Sequence, residues 1–133
     1  MSDTNSLPSS WVRTKLGDVC THPQYGFTTK AAGQGKLKFL RTTDITSGHI
    51  DWDSVPYCRD EPDSPEQYLL EDGDVVISRA GSVGFSYLMK TPPRSVFASY
   101  LIRFRPLIDK QFFAHFLISP FYWNEIAGNK VGI

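Results

Sequence analysis

Apolar residues along this 133-residue chain come in short clusters separated by glycine, proline and polar runs, with strand-like spacing in some clusters and helix-like spacing in others. Residues 1–10 form a polar lead ending in Leu7-Pro8-Ser9-Ser10, and Trp11 and Val12 open the ordered body, residues 11–133. A short helical turn is expected over 15–20. Residues 25–36 mix aromatic, threonine and lysine side chains with Gly26, Gly33 and Gly35, as an exposed hairpin or recognition loop would. Residues 38–42 have strand composition, and the turn chemistry of 46–49 allows them an antiparallel pairing with the segment of Ile50 and Trp52. A brief helix should start at Ser64, a capping residue, with Pro65 at the first helical position and Gln67 reaching back.

The next stretch is the most patterned. Asp72-Gly73 turns the chain into 74–79, whose continuous apolar centre predicts a strand buried on both sides. Residues 80–84 break it, and 85–89 resume as its partner. One strand is expected over 95–104. Asp109 can cap a helix carrying Phe112, Phe113, Phe116 and Leu117, Pro120 marks its end or a second start, and a last helix over 121–127 stops at Gly128. These elements describe a mixed α/β (α+β) fold: a single domain with a twisted, largely antiparallel sheet and short flanking helices.

Composition narrows the function. Hydrophobic residues at 41% and aromatics at 14% exclude a disordered tail. No apolar run approaches the roughly 20 residues that span a bilayer, and the polar start lacks the features of a leader, so a soluble, unexported protein is expected. Two cysteines, Cys20 and Cys58, fit a cytoplasmic setting, and Cys20 with His22 does not complete a metal site, so no metal is expected. Net charge is zero, but its distribution is uneven. Residues 19–43 carry only basic charge (Lys30, Lys36, Lys38, Arg41), as do residues 75–105 (Arg79, Lys90, Arg94, Arg103, Arg105), while the acids crowd between Asp44 and Asp74. Such segregation can give a neutral molecule one positive face that attracts phosphate; solvated loops of either sign give the same pattern.

Enzyme motifs fail one by one. Pro62-Asp63 is not followed by the acidic-x-lysine of a nuclease, and Gly81-Ser82-Val83-Gly84 is neither an acyl-hydrolase elbow nor a phosphate loop. His22, His49 and His115 lie far apart and none is tied to a nucleophile. The aromatic group Phe112, Phe113, Phe116, Phe121, Tyr122 and Trp123 is read as core, with a partner-docking surface as the alternative. A small hydrolase is thus the weakest option and a binding module the strongest.

Four stretches, in order, resemble the target-recognition domains of bacterial type I restriction-modification specificity subunits. They are Leu7-Pro8-Ser9-Ser10-Trp11 with Leu16-Gly17-Asp18-Val19; residues 40–50 (LRTTDITSGHI); residues 70–84 (LEDGDVVISRAGSVG); and residues 112–126. The resemblance implies the fold of DNA methylase specificity domains and a non-catalytic, cytoplasmic protein that reads one half of a split site in double-stranded DNA. It also implies partners: modification (methyltransferase) subunits that use S-adenosylmethionine and, through them, restriction subunits that use ATP, with no cofactor on this chain. The spacer helix and second recognition domain of the family have no counterpart here, and a protein-interaction module that has lost its DNA surface is the alternative reading.

Base reading needs donors and acceptors against base edges and cations on phosphate. The first acid-free segment offers Gln24, Tyr25, Thr28 and Lys30 on the loop, with Lys36, Lys38, Arg41 and Thr43 nearby. The second offers Arg79 and Ser82 at the strand break, where an arginine can reach guanine, and Lys90 and Arg94 for phosphate. Asp74, Gly73, Gly81 and Gly84 are assigned to the fold. Tyr25 and Phe27 are open to either reading, recognition or a small satellite core.

Overall fold

The structure, a computed structural model, describes residues 16–21 and 23–128. The β-branched run Val75-Val76-Ile77 forms the centre of strand β5 (Val75–Ser78), flanked by β8 (Leu101–Phe104) and β6 (Ser86–Leu88), with β1 (Gln24–Tyr25) beyond β8. The order is β1-β8-β5-β6, all antiparallel. A second sheet runs β2 (Ala31–Ala32), β4 (Tyr57–Cys58), β3 (Lys38–Leu40), β7 (Ser95–Phe97), antiparallel except for the parallel pair β3–β7. Three α-helices, α1 (Thr42–Ile45), α2 (Lys110–Phe116) and α3 (Pro120–Gly128), and short 3-10 turns at Leu16–Asp18, Trp52–Ser54 and Pro65–Gln67 complete the described chain.

Strand alternation explains the core. Val76 and Leu101 point into a cluster shared with Leu40, Ile45, Ile50, Met89 and Phe97 from the other sheet and its connections. Val75 and, partly, Phe104 point the opposite way, onto Phe113, Leu117 and Tyr122 of the two long helices. β5 is therefore buried on both faces, as its unbroken apolar run predicts. In β3, Phe39 takes a third cluster with Leu37, Cys58 and Val96, while Leu40 takes the first.

Several expectations need correction. The segment 38–42 does not continue as a strand past Leu40, because the Asp44 carboxylate accepts from the Arg41 backbone N (2.8 Å), Nε (3.1 Å) and Nη2 (3.0 Å) and so closes a helical turn from Thr42. Its antiparallel partner is Tyr57–Cys58; Ile50 is buried without strand pairing, and Trp52 lies in a 3-10 turn. The expected strand over 95–104 is two strands in different sheets. Ser64 makes no side-chain cap, and the turn after it is 3-10. The lead over 1–10 and the Trp11 start lie outside the described residues.

Local signals did better. Gly73 turns at φ +88° beside buried Asp74, whose carboxylate accepts from Glu71 N (2.8 Å) and Arg105 Nε (2.9 Å). Asp109 Oδ1 accepts from Phe112 N at 2.8 Å, a side-chain N-cap. Asp109→Ala should cost about 1 kcal/mol, lowering the thermal midpoint by a few degrees; a melting curve that superimposes on the wild type would refute this role. Among the described residues, no helix is long and apolar enough to cross a membrane.

Candidate nucleic-acid interface

The two sheets are joined at the corner 98–100, between β7 and β8. Leu101 N donates to Ala98 O (2.9 Å), turning the chain, and three other segments end on this corner. Leu40 O, at the end of β3, accepts from Ala98 N (2.8 Å); Phe27 N donates to Phe97 O (2.8 Å); Gly26 N donates to Leu101 O (3.3 Å); and Arg79 N, just past β5, donates to Tyr100 O (2.8 Å). Backbone amides need partners wherever water is excluded, so these bonds fix the ends of β1, β3 and β5 in one place.

The outer surface of the corner is aromatic and cationic. Tyr25 is 57% exposed and Tyr100 58% exposed. The Arg79 Nε donates to Ser99 O at 2.9 Å, and its guanidinium carbon lies 5.0 Å from the centre of the Tyr25 ring. The following loop, 79–84, is closed by Ser78, whose hydroxyl donates to Ser82 O and accepts from Phe85 N, and by Gly84 N on Ser78 O (2.8 Å). Gly81 and Gly84 hold φ of +76° and +92°, a region glycine enters without steric cost. Tyr122 of α3 donates its hydroxyl to Gly84 O (2.8 Å), and burial pushes that phenol up to about 12, keeping it protonated as a donor.

The residues expected to touch DNA fall into separate places. Tyr25 and Arg79 meet at the corner; Arg41 and Thr43 follow β3 beside it, and Thr28 follows Phe27. Ser82 is exposed on the 79–84 loop. Arg41 is neutralised by Asp44, its Nη2 3.0 Å from Oδ1. Gln24 turns its amide onto Tyr25 O (2.9 Å). Lys30 is exposed ahead of β2, its carbonyl taken by Arg59 N. Lys36, Lys38 and Arg94 gather at the opposite ends of β3 and β7, where Lys38 Nζ donates to Val55 O (2.9 Å) and lies 4.4 Å over the Tyr57 ring. Lys90 stands at the far end of β6, in a groove with Gln111 and His115.

Two arginines of the second basic segment are tied into the fold. Arg103, 7% exposed, donates Nη1 to Leu69 O (3.0 Å) and lies 5.5 Å over Phe97; burial first, and then Arg105, lowers its pKa. Arg105 bridges Asp74 and Glu71. Part of the apparent charge segregation is therefore cancelled across the fold. Phe27 packs on Tyr68 with ring centres 5.5 Å apart, the satellite-core reading, whereas Tyr25 is a surface residue. Of the C-terminal aromatics, Phe113 and Tyr122 are buried and Phe116 and Trp123 partly so, but Phe112 and Phe121 are exposed, correcting their assignment to core. Tyr100 was missed altogether; the small polar break Ala98-Ser99 in an apolar run was its only sequence signal. Both cysteines are free and buried, and burial, with Glu61 adding to it, pushes the Cys58 thiol up to about 11.

Comparison with known proteins follows the same lines. The family model described as "Type I restriction modification DNA specificity domain" matches residues 8–131. The fold is similar to that of the HsdS subunit from Thermoanaerobacter tengcongensis, with TM-score 0.66 and 18% identity over 96% of this chain and 30% of that one. It is also similar to a chain in a structure concerned with complex assembly and conformational transition of the type I R-M system, with TM-score 0.65 and 21% identity over 89% of this chain and 29% of that one. The chain thus spans less than a third of the length of these two structures. A search of curated protein sequences finds no match.

Proposed function

The chain belongs to the type I restriction modification DNA specificity domain family, and from that premise we propose that it reads one half of a split target in double-stranded DNA. The observation that carries this reading is the 98–100 corner, where exposed Tyr25 and Tyr100 lie with half-buried Arg79, which has no carboxylate partner among the described residues. Direct readout needs donors held at fixed positions, and the corner supplies them on strand ends, which are stiffer than free loops. Thr28, Thr43 and Ser82, exposed on the segments that lead away from Phe27, Arg41 and Arg79, add hydroxyls able to donate or accept.

Lys36, Lys38 and Arg94 suit the phosphate backbone. β3 and β7 are each three residues long, about 10 Å of strand. A duplex laid along the sheet therefore meets the corner with a groove and the cations with its flanking phosphates. Catalysis, with S-adenosylmethionine and ATP, falls in this reading to modification and restriction subunits.

Fluorescence anisotropy with a random duplex pool, followed by sequencing of the retained DNA, tests the proposal. A motif of about three to five base pairs should be enriched. The logarithm of affinity should fall with that of salt by about 0.9 for each phosphate contact. Absence of duplex binding at low salt, or retention without enrichment, would count against a sequence reader.

A further inference from the structure

We infer that Tyr25 is a positioning residue that orients Arg79 to read a guanine, a deepening that rests on the DNA-reading function proposed above. The arginines of the described chain divide sharply by what holds them. Arg41 and Arg105 are held by carboxylates, which cancel their charge. Arg103 is held without a carboxylate but is sealed in the interior. Arg59 and Arg94 are exposed, with no side-chain hydrogen bond or ion pair among the described residues. Arg79 alone is held, unneutralised and only partly buried.

The way it is held leaves the reading end free. The bond to Ser99 O uses Nε, and the contact with Tyr25 uses the flat face of the guanidinium. Nη1 and Nη2 have no hydrogen-bond partner among the described residues. These two nitrogens form the planar fork that matches the paired acceptors O6 and N7 on the major-groove edge of guanine. Phosphate oxygens also accept this fork bidentately, and the motif selection below separates the two partners, because only a base contact prefers one sequence. Arg79 N is itself tied to Tyr100 O, and this fixes the root of the side chain as well as its tip. Tyr25 has the complementary character. The residue is more than half exposed on the outer strand β1, and its ring lies against the guanidinium. An aromatic face under a cation is worth roughly 0.5–1 kcal/mol at an exposed site, about a two- to fivefold bias toward one orientation.

The test selects motifs from a random duplex pool with the whole chain as wild type, Arg79→Lys, Tyr25→Leu and Tyr25→Phe, each checked by thermal melting. The wild type should enrich a guanine at one position. Arg79→Lys keeps the charge and should lose that preference by roughly 5- to 100-fold while the other positions stay enriched. Tyr25→Leu should weaken the same preference about two- to fivefold, and Tyr25→Phe, which keeps the ring face, should restore it. Replacing the selected guanine by 7-deazaguanine, which lacks N7, probes the contact from the DNA side without altering the protein. It should weaken the wild type and leave Arg79→Lys unaffected.

An unchanged motif in Arg79→Lys, or a uniform loss across all sequences, would overturn the guanine assignment while leaving the DNA reader intact. An unchanged preference in Tyr25→Leu would overturn the positioning role alone. A wild type that retains no duplex would remove the proposed function and this inference together.

Discussion

Gly26→Ala should destabilise the domain by on the order of 3 kcal/mol or more, the sum of an overpacked contact and the hydrogen bonds broken to relieve it. A methyl group at residue 26 would sit 2.0 Å from Ala98 O, 2.4 Å from Ala98 C and 2.5 Å from Phe97 O. All three atoms are backbone, so no side chain can swing aside. Relief requires the segment after β1 to lift off the corner, which breaks the bonds from Gly26 N to Leu101 O and from Phe27 N to Phe97 O. Tyr25 would leave Arg79 in the same movement, so sequence preference should fall along with stability. Gly33→Ala is the natural control, because nothing lies within 4 Å of the added methyl. Chemical denaturation of both variants decides the matter, and a Gly26→Ala midpoint equal to that of Gly33→Ala would refute the close approach.

Phe97→Ala is the second large loss, about 3–5 kcal/mol. The ring is 0% exposed, lies edge-on to Tyr68 at 6.5 Å, and supports the Arg103 guanidinium 5.5 Å above it. Truncation would leave a hollow between the two sheets and remove the aromatic face under a buried cation. Since whole domains are stable by only about 5–15 kcal/mol, the variant should lose a large share of its stability. Phe112→Ala, at a residue 61% exposed, should cost less than about 0.5 kcal/mol. A Phe97→Ala loss below about 1 kcal/mol by urea titration would mean that the junction between the sheets is not a packed core.

The sequence was readable where structure is decided locally. Asp72-Gly73, the 79–84 loop and the Asp109 cap all depend on residues a few positions apart, and each forms as the pattern predicts. It was misleading where distant partners decide. The apolar stretch 95–104 reads as one strand, yet Ala98 N is claimed by Leu40 O and the chain crosses between sheets. Thr42 has a β-branched side chain, yet the Arg41–Asp44 pairing draws it into a helix. The site shows the same division. Tyr25 and Arg79 were each visible as candidates, but their contact depends on β1 and β5 lying on either side of β8. Arg103 looked like surface charge because strand register, which no single segment reveals, determines which way a side chain points.

The sheet borders carry a consequence of another kind. The outermost strands are β1 and β6 in one sheet and β2 and β7 in the other. β1 and β2 are two residues long, and β6 and β7 are three. An open strand border is a template on which another chain can add itself, and its danger grows with its length. Here the long apolar run of β5 is enclosed by neighbours on both sides. What faces outward offers an incoming strand a foothold of no more than three residues, so the fold keeps its most aggregation-prone segment out of reach.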